Sequence, residues 1–326
     1  MPGYLTGLLK SVNADNNRKL NILCFATHES FQTNLAKTGH NFFLFYHPRI
    51  KMWDYRYRDL PSNYFIIDGT SKIPADITID LILSQSRWGQ LQQSLELRSM
   101  LQVPIIHLEH VLPREGLDGN IRGDLHVFLT EYQQKAWGQN GPIIPTGIDT
   151  NYFSGWNGED GRILTVVNGY YQRAKETGWE LYKSATNGLP ILPVGDTPGF
   201  SKPAPSLDIL LEMYRGCGVY LNTTTMSTLP MGLLEAMSVG CPVVTTGGCG
   251  IKDFVKDTEN GFIADDPATM TRALKWLLDP QNKDRAKKIG EEGRKTIIEK
   301  FELERFVKNW NEIFSGTVGT AIGVNA

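Results

Sequence analysis

Cysteine is scarce and unpatterned: Cys24, Cys217, Cys241 and Cys249 are the only four, and no Cys-x-x-Cys occurs. That excludes a disulfide framework and a thiolate metal knuckle. Three of the four lie in or beside apolar runs, where a thiol is a small core residue, so a reducing, cytoplasmic setting is expected. Neither sign of charge dominates, with 33 Lys plus Arg against 35 Asp plus Glu, and no global basic field marks the chain for nucleic acid or anionic membrane. No apolar run reaches the length of a membrane span or a signal-peptide core, and Met1–Lys19 is polar. Peripheral membrane contact stays open, since an amphipathic surface needs no such run. No Asp-x-Asp follows a candidate strand, and no repeat of solenoid length recurs.

What is present is alternation. At 326 residues the chain exceeds one ordinary core, so two domains are expected. Short apolar runs alternate with helical patterns, as in βαβ units on a parallel sheet. The first series has strands at Leu20–Ala26, Asn41–Tyr46, Tyr64–Ile67, Asp80–Ser84, Pro104–His107 and Leu125–Leu129, with helices at Ser30–Thr38, Gly89–Leu101 and Glu131–Trp137. A turn-rich stretch, Pro142–Asp160, reads as linker and loop. Beyond it come strands at Ile163–Val167, Ile191–Val194, Val219–Asn222, Pro242–Thr245 and Gly261–Ala264. The helices of that series are Glu176–Thr186, Leu207–Arg215, Met231–Ser238, Ala268–Leu278, Lys283–Glu299 and Glu302–Phe314. The expectation is α/β, two Rossmann-like doubly wound domains facing a cleft, over 1–148 and 149–314, with 315–326 a frayed tail.

Ligands of such sheets sit beyond the carboxyl ends of the strands, which directs attention to the loops there. The most informative segment is Ser227–Cys241, STLPMGLLEAMSVGC. A helix starting near Pro230 would turn free amides toward a phosphate or a sugar hydroxyl. Glu235, one turn inside it, suits the vicinal hydroxyls of a ribose; an ordinary helix-surface Glu favouring the macrodipole is the competing reading.

Three motifs carry a resemblance. LLEAMSVGCPVVTTGGCGIKDFVKDTENGFIADD (233–266) resembles the donor-site segment of the retaining, GT-B fold glycosyltransferases related to glycogen and sucrose synthases. IIPTGIDTNYF (143–153) resembles that family's interdomain segment, and LAKTGHNFFLF (35–45) its first helix running into strand two. The order along the chain is the family's order. The resemblance implies transfer of a sugar from a nucleotide-diphosphate donor to an acceptor hydroxyl with retained configuration and without a metal. Glu235 falls on the second Glu of the family's paired-carboxylate motif, implying a ribose contact, whereas the first Glu is replaced by Ser227. That departure raises an alternative, a non-catalytic nucleotide-sugar binding protein. A sugar-nucleotide epimerase of the same fold is a further alternative, disfavoured by the interdomain segment and Glu235. Thr228, Leu229, Pro230 and Met231, with Gly169 and Gly195 in the loops after two strands, complete the implied donor site. Lys175 sits where the family's diphosphate-binding Lys sits. The family's Arg is replaced by Tyr170, and Arg173 offers a substitute charge. PIIHLEH (104–110) implies that His110, with His107 its rival, contacts the donor sugar. The His-x-Glu-His cluster also reads as metal ligands, a reading discounted because no further ligand pair has zinc spacing.

The acceptor side rests on two stretches. Thr27-His28-Glu29-Ser30 occupies the loop after strand one, making His28 and Glu29 candidates to bind or deprotonate an acceptor hydroxyl; capping of the following helix is the alternative. YHPRIKMWDYRYR (46–58) interleaves Arg49, Lys51, Arg56 and Arg58 with Tyr46, Trp53, Tyr55 and Tyr57. Such a pattern suits phosphate neutralisation with base stacking, as for a hydroxymethylated base in DNA. It suits a saccharide or lipid-linked acceptor equally, and a plain loop covering a core edge is the third reading.

Overall fold

A computed structural model describes residues 18–323; the expectation for the polar N-terminal segment lies, for residues 1–17, outside the described residues. The chain forms two compact units. One takes the residues up to Leu129, then Gln134–Ile144 and the chain from Glu304; the other takes Thr130–Gln133 and Pro145–Leu303.

The first unit is built on a six-stranded sheet of order β3-β2-β1-β4-β5-β6. Its strands are β1 (Asn21–Cys24), β2 (Asn41–Phe45), β3 (Tyr64–Ile67), β4 (Leu81–Ser84), β5 (Ile105–Glu109) and β6 (Leu125–Phe128). All pair in parallel. Central strands of a parallel sheet are covered on both faces, which is why NILC and LILS each hold three consecutive apolar residues and are nearly fully buried. Helices α1 (Glu29–Ala36), α2 (Gln90–Leu101) and α3 (Glu131–Trp137) join them.

The second unit carries a five-stranded sheet of order β11-β10-β9-β7-β8. Its strands are β7 (Ile163–Val166), β8 (Ile191–Val194), β9 (Val219–Asn222), β10 (Val243–Thr245) and β11 (Phe262–Ile263). Helices α4 (Ala174–Thr177), α5 (Trp179–Thr186), α6 (Leu207–Gly216), α7 (Met231–Val239), α8 (Pro267–Leu278) and α9 (Lys283–Phe301) accompany it. Both sheets therefore have a doubly wound order with a switch point, between β1 and β4 in one and between β7 and β9 in the other.

Three expectations are corrected. The helix expected over Glu176–Thr186 is broken at Gly178, whose φ is +69° and where a Cβ would lie 2.0 Å from the Thr223 carbonyl oxygen; no other residue fits so close an approach. The boundary falls at Ile144/Pro145, and the last helix, α10 (Leu303–Gly323), belongs from Glu304 to the first unit. Residues 315–323, expected as a frayed tail, continue this helix. Phe306, Trp310 and Phe314, at helical spacing, are buried and meet the rings of Phe31, His40 and Phe42. Three turns pinned in this way let the remaining residues propagate a helix already nucleated. Residues 324–326 lie outside the described residues.

Candidate functional site

In the second unit the loops after β7 and β9 diverge at the switch point and are stitched to each other. Tyr170 is buried, with its hydroxyl 2.6 Å from Thr223 Oγ1, and its amide donates to Thr197 Oγ1 at 3.1 Å. Thr223 Oγ1 in turn donates to the Thr177 carbonyl at 2.8 Å. The Thr225 amide donates to the Glu176 carbonyl at 2.8 Å and its hydroxyl to the Lys175 carbonyl at 2.6 Å. The main chain around Lys175 is thus held by three threonines, while the Lys175 side chain is exposed, with no ion-pair or hydrogen-bond partner among the described residues. Arg173 differs: its guanidinium donates to the Asn168 carbonyl and lies 3.9 Å from Glu176. Gly169 has φ +61°. At Gly195, φ is +125° and a Cβ would fall 2.2 Å from the Val167 carbonyl oxygen, so the loops after β7 and β8 can lie together only if that residue is glycine.

Helix α7 follows. Its N-cap, Pro230, makes no side-chain cap. Thr228, Leu229 and Pro230 are buried, so what this segment offers a ligand is main chain. Thr146 Oγ1 meets the Met231 sulfur at 3.5 Å. Ser227 is half-buried. Glu235 is buried and accepts from the Tyr214 hydroxyl at 2.8 Å, so the carboxylate is oriented by α6 and is no helix-surface residue. Sequence reasoning missed Arg294. Its guanidinium donates to the carbonyls of Phe153 and Thr150, each at 2.9 Å, and to that of Ser238. Those bonds tie the segment after Pro145 to α7 and α9.

In the first unit, the carboxyl ends of β1, β4 and β5 bring His28, Gln85 and His110 together. The rings of His28 and His110 are 4.6 Å apart, and His110 Nε2 is 3.2 Å from Gln85 Oε1. Burial, and after it the neighbouring rings of His28 and His107, pushes His110 well below the usual imidazole range, so it is neutral near pH 7. Beneath it lies a charge cluster that the sequence did not announce. Glu109 and Arg87 form a buried ion pair, with Arg87 Nε donating to Glu109 Oε1 at 2.8 Å. Arg87 also donates to the carbonyls of Asp118 and Ile121 and faces the Trp137 ring at 4.3 Å. His107 Nε2 and His126 Nδ1 point at the same carboxylate oxygen from 3.4 and 3.7 Å, contacts too long to rival the bonds from Arg87. Burial opposes ionisation of Glu109, but His107, His126 and Arg87 outweigh it and hold the carboxyl well below the usual range. Burial lowers His107 as well. Among the described residues no three His, Cys, Asp or Glu side chains converge as metal ligands, and Glu109 is committed to Arg87.

A pH dependence follows. The folded state refuses protons that His107 and His110 would take in the unfolded chain below about pH 6.5. Glu109 likewise resists protonation below its ordinary 4.5. Every shift is downward, so stability is full above the unfolded values and falls as pH falls. The urea midpoint of the first unit is expected to drop steadily from about pH 7.5 to about pH 5; a flat midpoint would refute the neutral histidines.

Two acceptor-side expectations are corrected. Glu29 is buried, lies 2.6 Å from Lys51 Nζ and accepts from the Asp54 amide at 3.0 Å; it anchors the 46–58 loop and is not disposed as a base. His28 stands at the N-cap of α1 but makes no side-chain cap. Trp53 is 5% exposed and donates to the Arg58 carbonyl at 2.8 Å, so it belongs to the core and offers no stacking face. Arg56 pairs with Asp54 at 2.7 Å, and Arg58 donates to the Tyr57 carbonyl at 2.7 Å. Arg49 is exposed, with Tyr46 and Tyr55. Of the four cations in the stretch, Lys51 is taken up by Glu29 and Arg56 by Asp54.

Comparison with solved proteins identifies the fold. The chain superposes on Anabaena HepE, solved in complex with UDP, with a TM-score of 0.69 over 92% of this chain and 100% of that one, at 13% identity. The fold is GT-B. A second GT-B structure, sucrose-phosphate synthase from Thermosynechococcus elongatus, agrees with a TM-score of 0.68 over 93% of this chain and 100% of the other, at 14% identity. Residues 202–296 match the family model of glycosyl transferases group 1, a segment that lies within the second unit and contains Glu235. Over 106 residues the chain is 29% identical to Bacillus subtilis EpsD, named for a glycosyltransferase; the match takes in 32% of this chain and 27% of EpsD. The family-model match and the EpsD match each take in about a third of the chain or less, and the solved neighbours share its fold. Among the described residues no helix is long and apolar enough to cross a membrane.

Proposed function

We propose that this chain is a glycosyltransferase that takes a sugar from a nucleotide-diphosphate donor, with UDP-glucose the first to test, and passes it to the hydroxyl of a saccharide or lipid-linked glycan. The observation that carries the reading is the second unit's switch point, where Lys175 on α4, without a partner among the described residues, and an oriented Glu235 on α7 follow β7 and β9, the neighbouring strands at which the order reverses. HepE, which shares the fold, was solved with UDP-glucose. In this reading Glu235 accepts from the ribose hydroxyls, and Lys175, helped by Arg173 and the amides that open α7, neutralises the departing diphosphate without a metal. The acceptor hydroxyl attacks on the face the nucleotide leaves, a phosphate oxygen takes its proton, and configuration is retained; no protein nucleophile is required. His110 contacts the sugar.

Calorimetric titration with UDP tests the donor half. Glu235→Gln keeps an acceptor for the Tyr214 hydroxyl while removing the charge, so folding is expected to hold while UDP affinity falls by about tenfold, the 1.4 kcal/mol scale of one charge-assisted bond. Unchanged affinity removes Glu235 from the donor site. Ser227, standing where the family has its first Glu, favours one second reading, a non-catalytic nucleotide-sugar binder; release of UDP or glucose from bound UDP-glucose would exclude it.

A further inference from the structure

Gln85 is the first residue after β4 and is 1% exposed. Its backbone is held in place: its amide donates to Gln90 Oε1 at 3.1 Å, and Gln90 Nε2 donates to Thr27 Oγ1 at 2.8 Å and to the Ala26 carbonyl at 3.2 Å. With Oε1 turned toward His110 Nε2, the side-chain amide nitrogen of Gln85 is buried without any partner. An orphaned buried N–H group is costly, and orphaned carbonyls are the more tolerated defect. Turning the amide half a revolution about its last torsion puts Nε2 on the ring nitrogen and leaves the carbonyl as the unpaired atom. The ring itself has little freedom, since His28 meets it at 4.6 Å and Phe31 edge-on at 4.9 Å. His110 Nδ1 makes no hydrogen bond to the described residues.

We propose that Gln85 is a positioning residue for His110: its amide nitrogen donates to His110 Nε2 and fixes the neutral ring with its proton on Nδ1. A neutral imidazole has one donor and one acceptor, so occupying Nε2 as acceptor makes Nδ1–H the group offered to a ligand. His110 then gives a hydrogen bond to a substrate oxygen and cannot serve as the base that deprotonates an acceptor. The substrate half of this statement rests on the proposed sugar transfer; the tautomer does not. The low pKa of His110, set by burial and by His28 and His107, keeps the ring neutral so that the choice of tautomer matters.

The test is a long-range proton–nitrogen correlation spectrum of the full chain labelled with 15N-histidine, recorded without ligand, with the His110 signals assigned by their loss in His110→Gln. The expected wild-type pattern is a protonated Nδ1 and a bare Nε2. Gln85→Glu, isosteric and able only to accept, is expected to move the proton to Nε2; Gln85→Met, should the Glu variant not fold, is expected to yield a mixture of tautomers. A wild-type ring protonated on Nε2, or a Nδ1–H pattern unchanged in whichever variant folds, overturns the proposal. Because no substrate is present, a chain that proves unable to bind UDP still decides the tautomer, and failure of the UDP titration counts against the sugar-transfer reading alone.

Discussion

Arg87→Ala is expected to destabilise the first unit by about 3–5 kcal/mol, the scale for removing one partner of a buried ion pair. The size follows from what is left behind. The side chains of Arg87 and Glu109 are 2% and 1% exposed, so the carboxylate would remain buried with only the distant nitrogens of His107 and His126 to compensate it. The carbonyls of Asp118 and Ile121 would lose their donor at the same time. Chemical denaturation of the single variant measures the loss, and the double variant Arg87→Met with Glu109→Leu tells charge from shape. Replacing both partners by apolar side chains is expected to recover most of the stability. A single-variant cost under about 1 kcal/mol would show that the pair is solvated in solution and is no more than an ordinary surface contact.

The same pair shows where sequence reading stops. The strands were legible because a parallel sheet buries both faces, so NILC, LILS and VYLN are apolar but for one terminal polar residue each. The partnership of Glu109 with Arg87 was not, because it depends on β4 and β5 being neighbours, which pairs residues 22 positions apart. His-x-Glu-His looked like a ligand set only while that arginine was out of view. Trp53 misled for the opposite reason. Local composition set it in a basic-aromatic strip, whereas its indole donates to the Arg58 carbonyl and packs on Tyr64. Gly178 reads as a tolerable glycine inside a helix until the Thr223 carbonyl arrives from another strand. Glu235 lies between these cases. Its place on α7 could be read from the motif, while its orientation comes from Tyr214, 21 residues earlier on α6.

Lys175→Ala is expected to lower turnover of UDP-glucose by about 10²–10³-fold, the loss typical of removing one preorganised group aimed at developing charge, while leaving the melting temperature where it was. The two halves of that expectation come from different atoms. Stability around the residue is carried by main chain: the Lys175 and Glu176 carbonyls accept from Thr225, and Thr177 is held by Thr223, none of which the substitution touches. The ammonium has no partner among the described residues, so nothing in the fold is lost with it. If it meets the diphosphate, its attraction grows as charge moves onto the leaving group, and the loss should fall on kcat more than on KM. Lys175→Arg keeps the charge but changes its shape and reach, and is expected to retain part of the activity. Thr225→Val is the control, since it removes the bond to the Lys175 carbonyl and keeps the cation, and should loosen the loop with a smaller kinetic effect. A Lys175→Ala protein that turns over UDP-glucose at the wild-type rate would remove the lysine from the donor site, and with it the main support for neutralisation of the diphosphate by this loop.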